Sequence, residues 1–255
     1  MAFQKGNIKL EGNIGDLNFY KSGDEYRVRQ KVAKKSKNEI SNLAERSKEN
    51  AQEFGRVSSF AKNIRSALKN AMGQHYELFY EPSNLNRLVK RLNLILKADK
   101  INMRGKREIL PANMMLLKNF SFNNSSPLKD TLLLPIDIDY NKNQREVVAT
   151  ISNFNPEFHL DIPKETSSFM VHLTIFKIDH LNMDFTTRYT HSELLFVRQS
   201  QPFTNLICQI DDLTATESML VALGVSLYKD TAGYPVPQIK PNLNSLDITE
   251  FFCEP

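Results

Sequence analysis

The sequence predicts an α+β protein in three parts: an N-terminal β-hairpin arm with a basic linker (residues 1–36), a helical segment (37–112) and a C-terminal immunoglobulin-like antiparallel β-sandwich (113–255). Three observations support this prediction. Two short β-rich runs flank a glycine turn near the N-terminus, apolar residues then recur every three or four positions, and from about residue 115 the period changes to two. A chain of 255 residues suffices for one large or two modest domains.

The N-terminal runs, residues 17–21 and 26–29, surround a turn that contains Gly23, which is typical of a β-hairpin. Alternation of side chains places Arg27 and Arg29 on one face. It allows the opposite face to hold Leu17, Phe19, Tyr26 and Val28. Because an isolated two-stranded hairpin is marginal in water, it must dock on its own domain or on another chain. We therefore expect an assembly interface that contains Leu17, Phe19, Tyr20, Tyr26 and Val28.

The helical prediction depends on apolar spacing. From Ile40 to Met72, apolar residues keep mostly to steps of three and four, interrupted by a polar stretch, and Gly73 is a plausible stop. A second amphipathic helix is predicted to begin near Ser83 and Asn84, and Pro111 roughly marks the end of this segment. The sequence therefore indicates two helices before the β-rich half.

The β-rich half shows seven or eight runs separated by turn residues, which is typical of a β-sandwich. Strands are predicted near residues 116–122, 131–139, 145–152, 168–179, 185–198, 203–210, 218–229 and 245–252. The chain has no Trp and only two cysteines, Cys208 and Cys253, so the Cys-Trp-Cys core of a true antibody domain is missing. We expect two buried thiols, although their spacing leaves a disulfide open.

The charge is unevenly distributed along the chain. Residues 1–110 contain 23 Lys and Arg against 12 Asp and Glu, whereas residues 111–255 contain 10 against 17. Their net charges are therefore +11 and −7. Such a chain can meet an anionic partner, attract its own other half, or attract a neighbouring copy head to tail. Charge alone leaves these three explanations open.

A basic run is the candidate for an anion- or nucleic-acid-binding site. It comprises Arg27, Arg29, Lys31, Lys34, Lys35 and Lys37. The aromatic residues Phe19, Tyr20 and Tyr26 lie close to it in the sequence, and basic side chains with stacking aromatics suit nucleic acid. The alternative is a solvated linker beside a hairpin whose aromatics are core residues.

No motif for catalysis or for a cofactor is found, so we expect a protein that is not an enzyme and has no cofactor, metal site or small-molecule substrate. None of the five histidines pairs at i, i+4 on a helix or lies in a Cys/His ligand cluster. The Gly-x-Ser-x-Gly elbow and the phosphate-binding Gly-x-x-x-x-Gly-Lys-Ser/Thr loop are also missing. The sequence shows no signal peptide and no membrane-spanning stretch, which predicts a cytoplasmic location.

Four N-terminal segments form a recognisable pattern: Gly12–Lys21, Tyr26–Lys31, Arg46–Arg56 and Ile64–Leu68. With this pattern the chain resembles a family of uncharacterised proteins from Bacteroidetes. The resemblance covers about the first seventy residues and implies glycine-rich N-terminal strands, then helices, then a C-terminal β-rich region. It implies no activity and no catalytic or binding residues.

These observations lead to three functional hypotheses. The first is a non-enzymatic structural protein that forms homo-oligomers or filaments through its N-terminal strands, since a sandwich edge can accept an added strand. The alternative is a nucleic-acid-associated protein that uses the basic N-terminal region. The third is a carbohydrate- or protein-binding sandwich module.

Overall fold

The computed structural model describes residues 2–31, 44–151, 154–198, 205–240 and 242–254. The chain forms two compact units, Met1–Lys48 and Glu49–Pro255. Both helices and antiparallel strands occur in the described residues, so the predicted α+β class is confirmed.

The elements follow one another in this order. The N-terminal strands are β1 (Ala2–Phe3), β2 (Gly12–Ile14), β3 (Leu17–Ser22) and β4 (Glu25–Gln30). The helices are α1 (Glu45–Met72) and α2 (Asn84–Lys97), with 3₁₀ segments at Gly73–Phe79 and Pro111–Leu117 and single helical turns at Leu128–Thr131 and Pro156–His159. The later strands are β5 (Asp137–Asn141), β6 (Glu146–Thr150), β7 (Ser168–Asp179), β8 (Asp184–His191), β9 (Leu195–Phe196), β10 (Leu206–Gln209), β11 (Glu217–Thr231), β12 (Tyr234–Pro237) and β13 (Ser245–Cys253).

The first unit contains a four-stranded antiparallel sheet in the order β1-β4-β3-β2. The predicted hairpin is confirmed, since β3 pairs with β4 from Leu17 to Ser22. Two-residue turns join β2 to β3 and β3 to β4, and each begins with a glycine at positive φ, Gly15 at 53° and Gly23 at 63°. A first central glycine is what a type II′ hairpin turn requires. The sheet is wider than expected because β1 adds a strand beside β4 and β2 adds a strand beside β3.

The helices that follow the N-terminal sheet agree with the apolar spacing. Helix α1 ends at Met72, and Gly73 at φ 55° follows it, as predicted. Helix α2 begins at Asn84 and buries Leu88 and Leu92. The residues expected on the first helical face before position 44, Ile40 and Leu43, lie outside the described residues.

Strands β7 and β11 form the centre of the second unit and pair over twelve residues, from Ser168↔Tyr228 to Asp179↔Glu217. On the edge away from β7, β11 pairs with β12 and β13. On the edge away from β11, β7 pairs with β8 and β9. A separate three-stranded sheet has the order β10-β6-β5. Glycine is required at Gly224 in β11, because a Cβ there would lie 2.6 Å from the Ser245 carbonyl oxygen.

Both faces of the central strands are buried, and each belongs to a different hydrophobic core. Phe176 and Ile178 of β7 pack with the helices and 3₁₀ segments. Leu173 and Ile175 of the same strand pack with β6 and β10. Alternation along a strand sends adjacent residues to opposite faces, so β7 serves two cores at once. The boundary expected between residues 112 and 113 therefore falls inside one unit, since the helices share a core with the sheet.

Several predicted strands differ in the structure. Residues 116–122 do not form the predicted strand: positions 116 and 117 end a 3₁₀ segment, and Asn119 has φ 66°, a left-handed conformation that interrupts an extended run. The strand predicted at 131–139 starts only at Asp137, because a helical turn and Pro135 precede it. The prediction for 168–179 is confirmed at both ends. The finer expectation of an immunoglobulin-like sandwich is not confirmed.

Both cysteines are free, with Cys208 buried and Cys253 half-buried. Burial raises the pKa of the Cys208 thiol to about 11. Within the described part of the chain, none of the helices combines the length and apolar character needed to cross a bilayer.

Candidate assembly interface

The N-terminal sheet has two chemically different faces, and its register defines them. Phe19 lies opposite Val28 and Lys21 opposite Tyr26, while Leu17 lies opposite Ile14 of β2. Residues that face each other across an antiparallel pair project to the same side of the sheet. We call this side the apolar face; its members are Ala2, Gly12, Ile14, Leu17, Phe19, Lys21, Tyr26, Val28 and Gln30.

The apolar face is poor in charge. Lys21 is its only charged residue, and the Lys21 Nζ lies 5.5 Å from the centre of the Tyr26 ring. Ile14 and Leu17 are 58% and 42% exposed, and no residue from 2 to 31 is buried. A single layer of sheet cannot enclose a core by itself, so these apolar side chains keep much of their contact with solvent.

The opposite side, which we call the basic face, combines cations with rings. Arg27 lies opposite both Tyr20 of β3 and Phe3 of β1, and its guanidinium carbon is 5.3 Å from the centre of the Phe3 ring. The Arg29 guanidinium lies 5.2 Å from the Tyr20 ring centre, and its Nε donates to Asn18 Oδ1 at 3.3 Å. Such arginine–ring contacts contribute about 0.5–1 kcal/mol at exposed sites.

The predicted interface residues therefore do not all lie together. Leu17, Phe19, Tyr26 and Val28 share the apolar face, as alternation predicts. Tyr20 lies on the basic face instead, opposite Arg27.

The structure describes only some residues of the predicted basic run. Arg27 Nε donates to Glu25 Oε2 at 3.0 Å, so an ion pair already engages this cation. Lys31 follows β4, is exposed, and its backbone N–H donates to the Asp16 carbonyl at 2.6 Å. The remaining members, Lys34, Lys35 and Lys37, lie outside the described residues.

Gln4 organises the loop between β1 and β2. Its backbone N–H donates to the Tyr26 carbonyl at 2.9 Å, and its Oε1 accepts from the Leu10 N–H at 2.8 Å. These hydrogen bonds hold residues 5–11 against the sheet, but all seven of these residues remain exposed. The two edge strands are only two and three residues long, and short edges disfavour the addition of further strands. The broad apolar face is therefore the larger surface that the sheet offers.

A group of histidines in the second unit was not expected from the sequence. His172 on β7 lies directly opposite His191 on β8, and the 3₁₀ segment brings His75 against both, with ring centres 5.4 Å and 5.0 Å away. The only sequence signal for it is the β7–β8 hairpin, whose turn after position 179 places residue 172 beside residue 191. The shared strand parity of His172 and His180 does not bring those two rings together.

This histidine cluster is a hydrogen-bonded chain. His172 Nε2 lies 2.7 Å from Ser226 Oγ, and His172 Nδ1 lies 2.7 Å from the Tyr189 hydroxyl, which in turn lies 2.8 Å from His75 Nδ1. Burial lowers the pKa of His172 well below its usual value, lowers that of His75, and raises that of Tyr189.

The polar groups of the cluster hydrogen-bond to one another inside the protein and are not presented to a ligand. Ser226 and His172 are fully buried, so neither can meet a substrate in this conformation. In the residues that the structure describes, no set of three His, Cys, Asp or Glu side chains is arranged to hold a metal ion. The chain of hydrogen bonds therefore joins the 3₁₀ segment to the central sheet.

Comparisons with protein-family models, with curated proteins and with solved structures find no match to this chain.

Proposed function

We propose that this chain is a non-enzymatic assembly protein that forms homo-oligomers through the apolar face of its N-terminal sheet. The observation that supports this proposal most is the single-layer sheet with an apolar face and no buried residue. A polypeptide of about thirty residues rarely holds such a sheet without a partner surface.

The occupant that fits this face is a second copy of the same face. Sheets pack face to face at about 10 Å through their apolar sides. A two-fold axis brings identical patches together, so both copies gain the same contacts. The scarcity of charge on the apolar face suits self-packing, because few like charges are brought together.

Burial of the apolar face yields a free energy of the same order as the cost of association. Full burial of one large apolar side chain contributes roughly 1.5–3 kcal/mol. Five such side chains lie on each copy: Ile14, Leu17, Phe19, Tyr26 and Val28. Ten side chains contribute roughly 15–30 kcal/mol before a discount for the area each sheet already covers, and association costs roughly 4–15 kcal/mol, so the discounted gain is comparable to the cost.

A two-fold contact closes as a dimer. A filament needs an additional head-to-tail contact, for which the opposite charges of residues 1–110 and 111–255 supply an attraction. Electron microscopy of the purified protein distinguishes the two assemblies, since only the second contact produces open chains.

The test uses two variants that add the same charge on opposite faces of β3. Phe19→Asp lies on the apolar face and Ser22→Asp on the basic face. Light scattering across a hundredfold range of protein concentration should give an oligomer for the wild type and for Ser22→Asp, and a monomer for Phe19→Asp.

Val28→Thr adds a variant that keeps the β-branched shape and should weaken association about tenfold. Circular dichroism checks that the sheet still forms in each variant. A wild type that stays monomeric throughout, or a Phe19→Asp variant that associates like the wild type, contradicts the proposal.

A second candidate function is nucleic-acid association through the basic face. The observation that favours it is the placement of Arg27 and Arg29 beside aromatic rings on one side of the sheet. Affinity for single-stranded DNA should then fall steeply with salt. Charge reversal of Lys34, Lys35 and Lys37 together with Arg29→Gln should weaken it, and a lack of binding at low salt dismisses this function.

A further inference from the structure

The second unit contains a concave cleft of about 640 Å³ beside the turn that joins β7 to β8. Helix α1 forms one wall, and the segments that end at Pro111 and just before β11 form the others. The accessible apolar surface of the cleft comes from Leu110, Pro111, Leu181, Met183 and Ala215. Small-molecule sites are concave, mostly apolar and of about 300–1,000 Å³, so the size and lining of this cleft fit such a site.

The β7–β8 turn exposes two apolar side chains at the cleft. Leu181 is 75% exposed and Met183 is 44% exposed. Apolar side chains scattered singly over a surface need no explanation, whereas a group of them beside a concave surface is typical of a ligand-binding groove. A ligand that covers both removes apolar surface from water, which favours binding.

The two largest polar side chains of the cleft are already engaged by the protein. Arg56 donates through Nη1 to the Arg107 carbonyl at 2.5 Å and through Nη2 to another carbonyl of the same loop. His180 Nδ1 donates to the Ile109 carbonyl at 2.7 Å, and His180 Nε2 accepts from the Ser218 hydroxyl at 2.8 Å. A ligand therefore meets no unpaired nitrogen on the His180 ring.

The cleft carries side chains of both signs. Among the described residues that line it, Arg56 is the only cation and Glu108 the only anion. Burial lowers the pKa of His180, so its ring is neutral at pH 7. A charged group of a ligand would lose water on entry, and one of the two charged side chains would repel it while the other attracts it. The charges of the cleft therefore favour a neutral ligand.

Helix α1 is open towards the cleft because its side chains there are very small. Gly55 and Ser59 stand one turn apart and share a face of the helix. Glycine destabilises a helix interior relative to alanine. Apart from the adjoining helix backbone, no heavy atom of the described residues lies within 4 Å of the position that a Gly55 Cβ would occupy. No packing contact within the chain requires glycine here, whereas a ligand lying against this wall would.

We propose that this cleft binds a neutral, largely apolar small molecule with a planar aromatic body, which lies against Gly55 and Ser59 and is covered by Leu181 and Met183. A wall of glycine and serine is flat enough for a ring system to lie along it. The Met183 thioether favours an aromatic ring over an alkyl chain, because sulfur–aromatic contacts add to the area that is buried. This site is separate from the assembly surface of the N-terminal sheet.

Fluorescence titration of the full chain with N-phenyl-1-naphthylamine tests this proposal. The charged comparison is 8-anilinonaphthalene-1-sulfonate, which has the same rings and one added sulfonate. The neutral probe should bind at least tenfold more tightly than the sulfonate, because the cleft holds no cation free of a neighbouring anion.

Two variants place the probe in the cleft. Gly55→Leu fills the space along α1 and should weaken binding of N-phenyl-1-naphthylamine by tenfold or more, without lowering the thermal midpoint, since leucine is the better helix former. Leu181→Ser removes part of the apolar wall and should weaken binding several-fold. The matched control, Asn70→Leu, adds the same side chain at an exposed position of α1 outside the cleft and should change the affinity less than twofold.

Three results overturn the proposal: no binding of N-phenyl-1-naphthylamine, sulfonate binding as tight as that of the neutral probe, or equal affinities in Gly55→Leu and Asn70→Leu. Light scattering supplies a fourth. Gly55→Leu should keep the oligomeric state of the wild type, and a loss of association in this variant alone would assign the cleft to a second copy of the chain and overturn the proposal.

Discussion

The two units form antiparallel sheets from similar residues but stabilise them in opposite ways. In the N-terminal sheet, the apolar side chains of one layer remain partly exposed. In the second unit, β7 and β11 bury side chains on both faces, and Phe176 and Ile175 are adjacent in sequence yet belong to different cores. Both sheets are antiparallel, so burial of their side chains is the property that distinguishes them.

The largest expected effect comes from removing a buried phenylalanine ring in the second unit, and it is compared with removing a phenylalanine ring from the N-terminal sheet. Phe176→Ala removes a fully buried side chain and should lower the free energy of unfolding by about 3–5 kcal/mol. Phe19→Ala removes a half-exposed ring and should lower the stability of the monomer by less than about 1 kcal/mol while abolishing association. Chemical denaturation at low protein concentration measures both. Equal losses would mean that Phe19 already lies in a core.

A second expected effect is specific to the unit that contains the histidines. Burial lowers the pKa of His172, His75 and His180 below the usual value of about 6.5. The unfolded chain then binds more protons than the folded one, so stability is kept above pH 6.5 and lost as the pH falls below it. Denaturation between pH 7.5 and 5 should follow this slope.

His75→Gln should flatten that slope, because a glutamine can still meet the Tyr189 hydroxyl but does not take up a proton. A wild-type stability that stays constant or rises from pH 7.5 to 5 contradicts the assignment.

The third effect concerns a turn. Gly23 at φ 63° joins β3 to β4, and a side chain in the left-handed region costs about 1–2 kcal/mol. Gly23→Ala should therefore weaken association and the β-signal of the N-terminal sheet, while the thermal midpoint of the second unit stays within about 1 °C. Differential scanning calorimetry reports that midpoint, and a shift of several degrees would show that the two units unfold together.

The smallest effect is a gain in stability in the second unit. Ala232 has φ 56° in the turn between β11 and β12, where asparagine is better tolerated. Ala232→Asn should raise the free energy of unfolding by a few tenths to about 1 kcal/mol, as judged by urea denaturation, and should leave the oligomeric state unchanged. A loss of stability would show that alanine is favoured at this position of the turn for another reason.

The sequence predicts local features of this fold well. The register of the β3–β4 hairpin follows from alternation and a glycine turn, and the end of α1 follows from Gly73. Strand β7 is predicted at both ends because its β-branched and aromatic residues form a long uninterrupted run between polar turns. Each of these features depends on residues that lie close together in the sequence.

Features that depend on distant pairings are not predicted. The helices cover one face of the central sheet, which a period of 3.6 cannot reveal, so the expected boundary at residue 112 falls within a unit. The histidine cluster likewise combines His75 with His172 and His191, roughly a hundred positions later in the chain. Tyr20 is also predicted to belong to the interface, but the register of β3 and β4 places it on the basic face, opposite Arg27.

The central claim is that the N-terminal sheet depends on a second copy, whereas β7 and β11 do not. Amide hydrogen exchange measured by mass spectrometry across a hundredfold range of protein concentration tests it most directly. Protection of residues 17–30 should rise with concentration, while protection of residues 168–179 and 217–228 stays constant. Protection of residues 17–30 that is as strong as that of β7 at every concentration would contradict the claim.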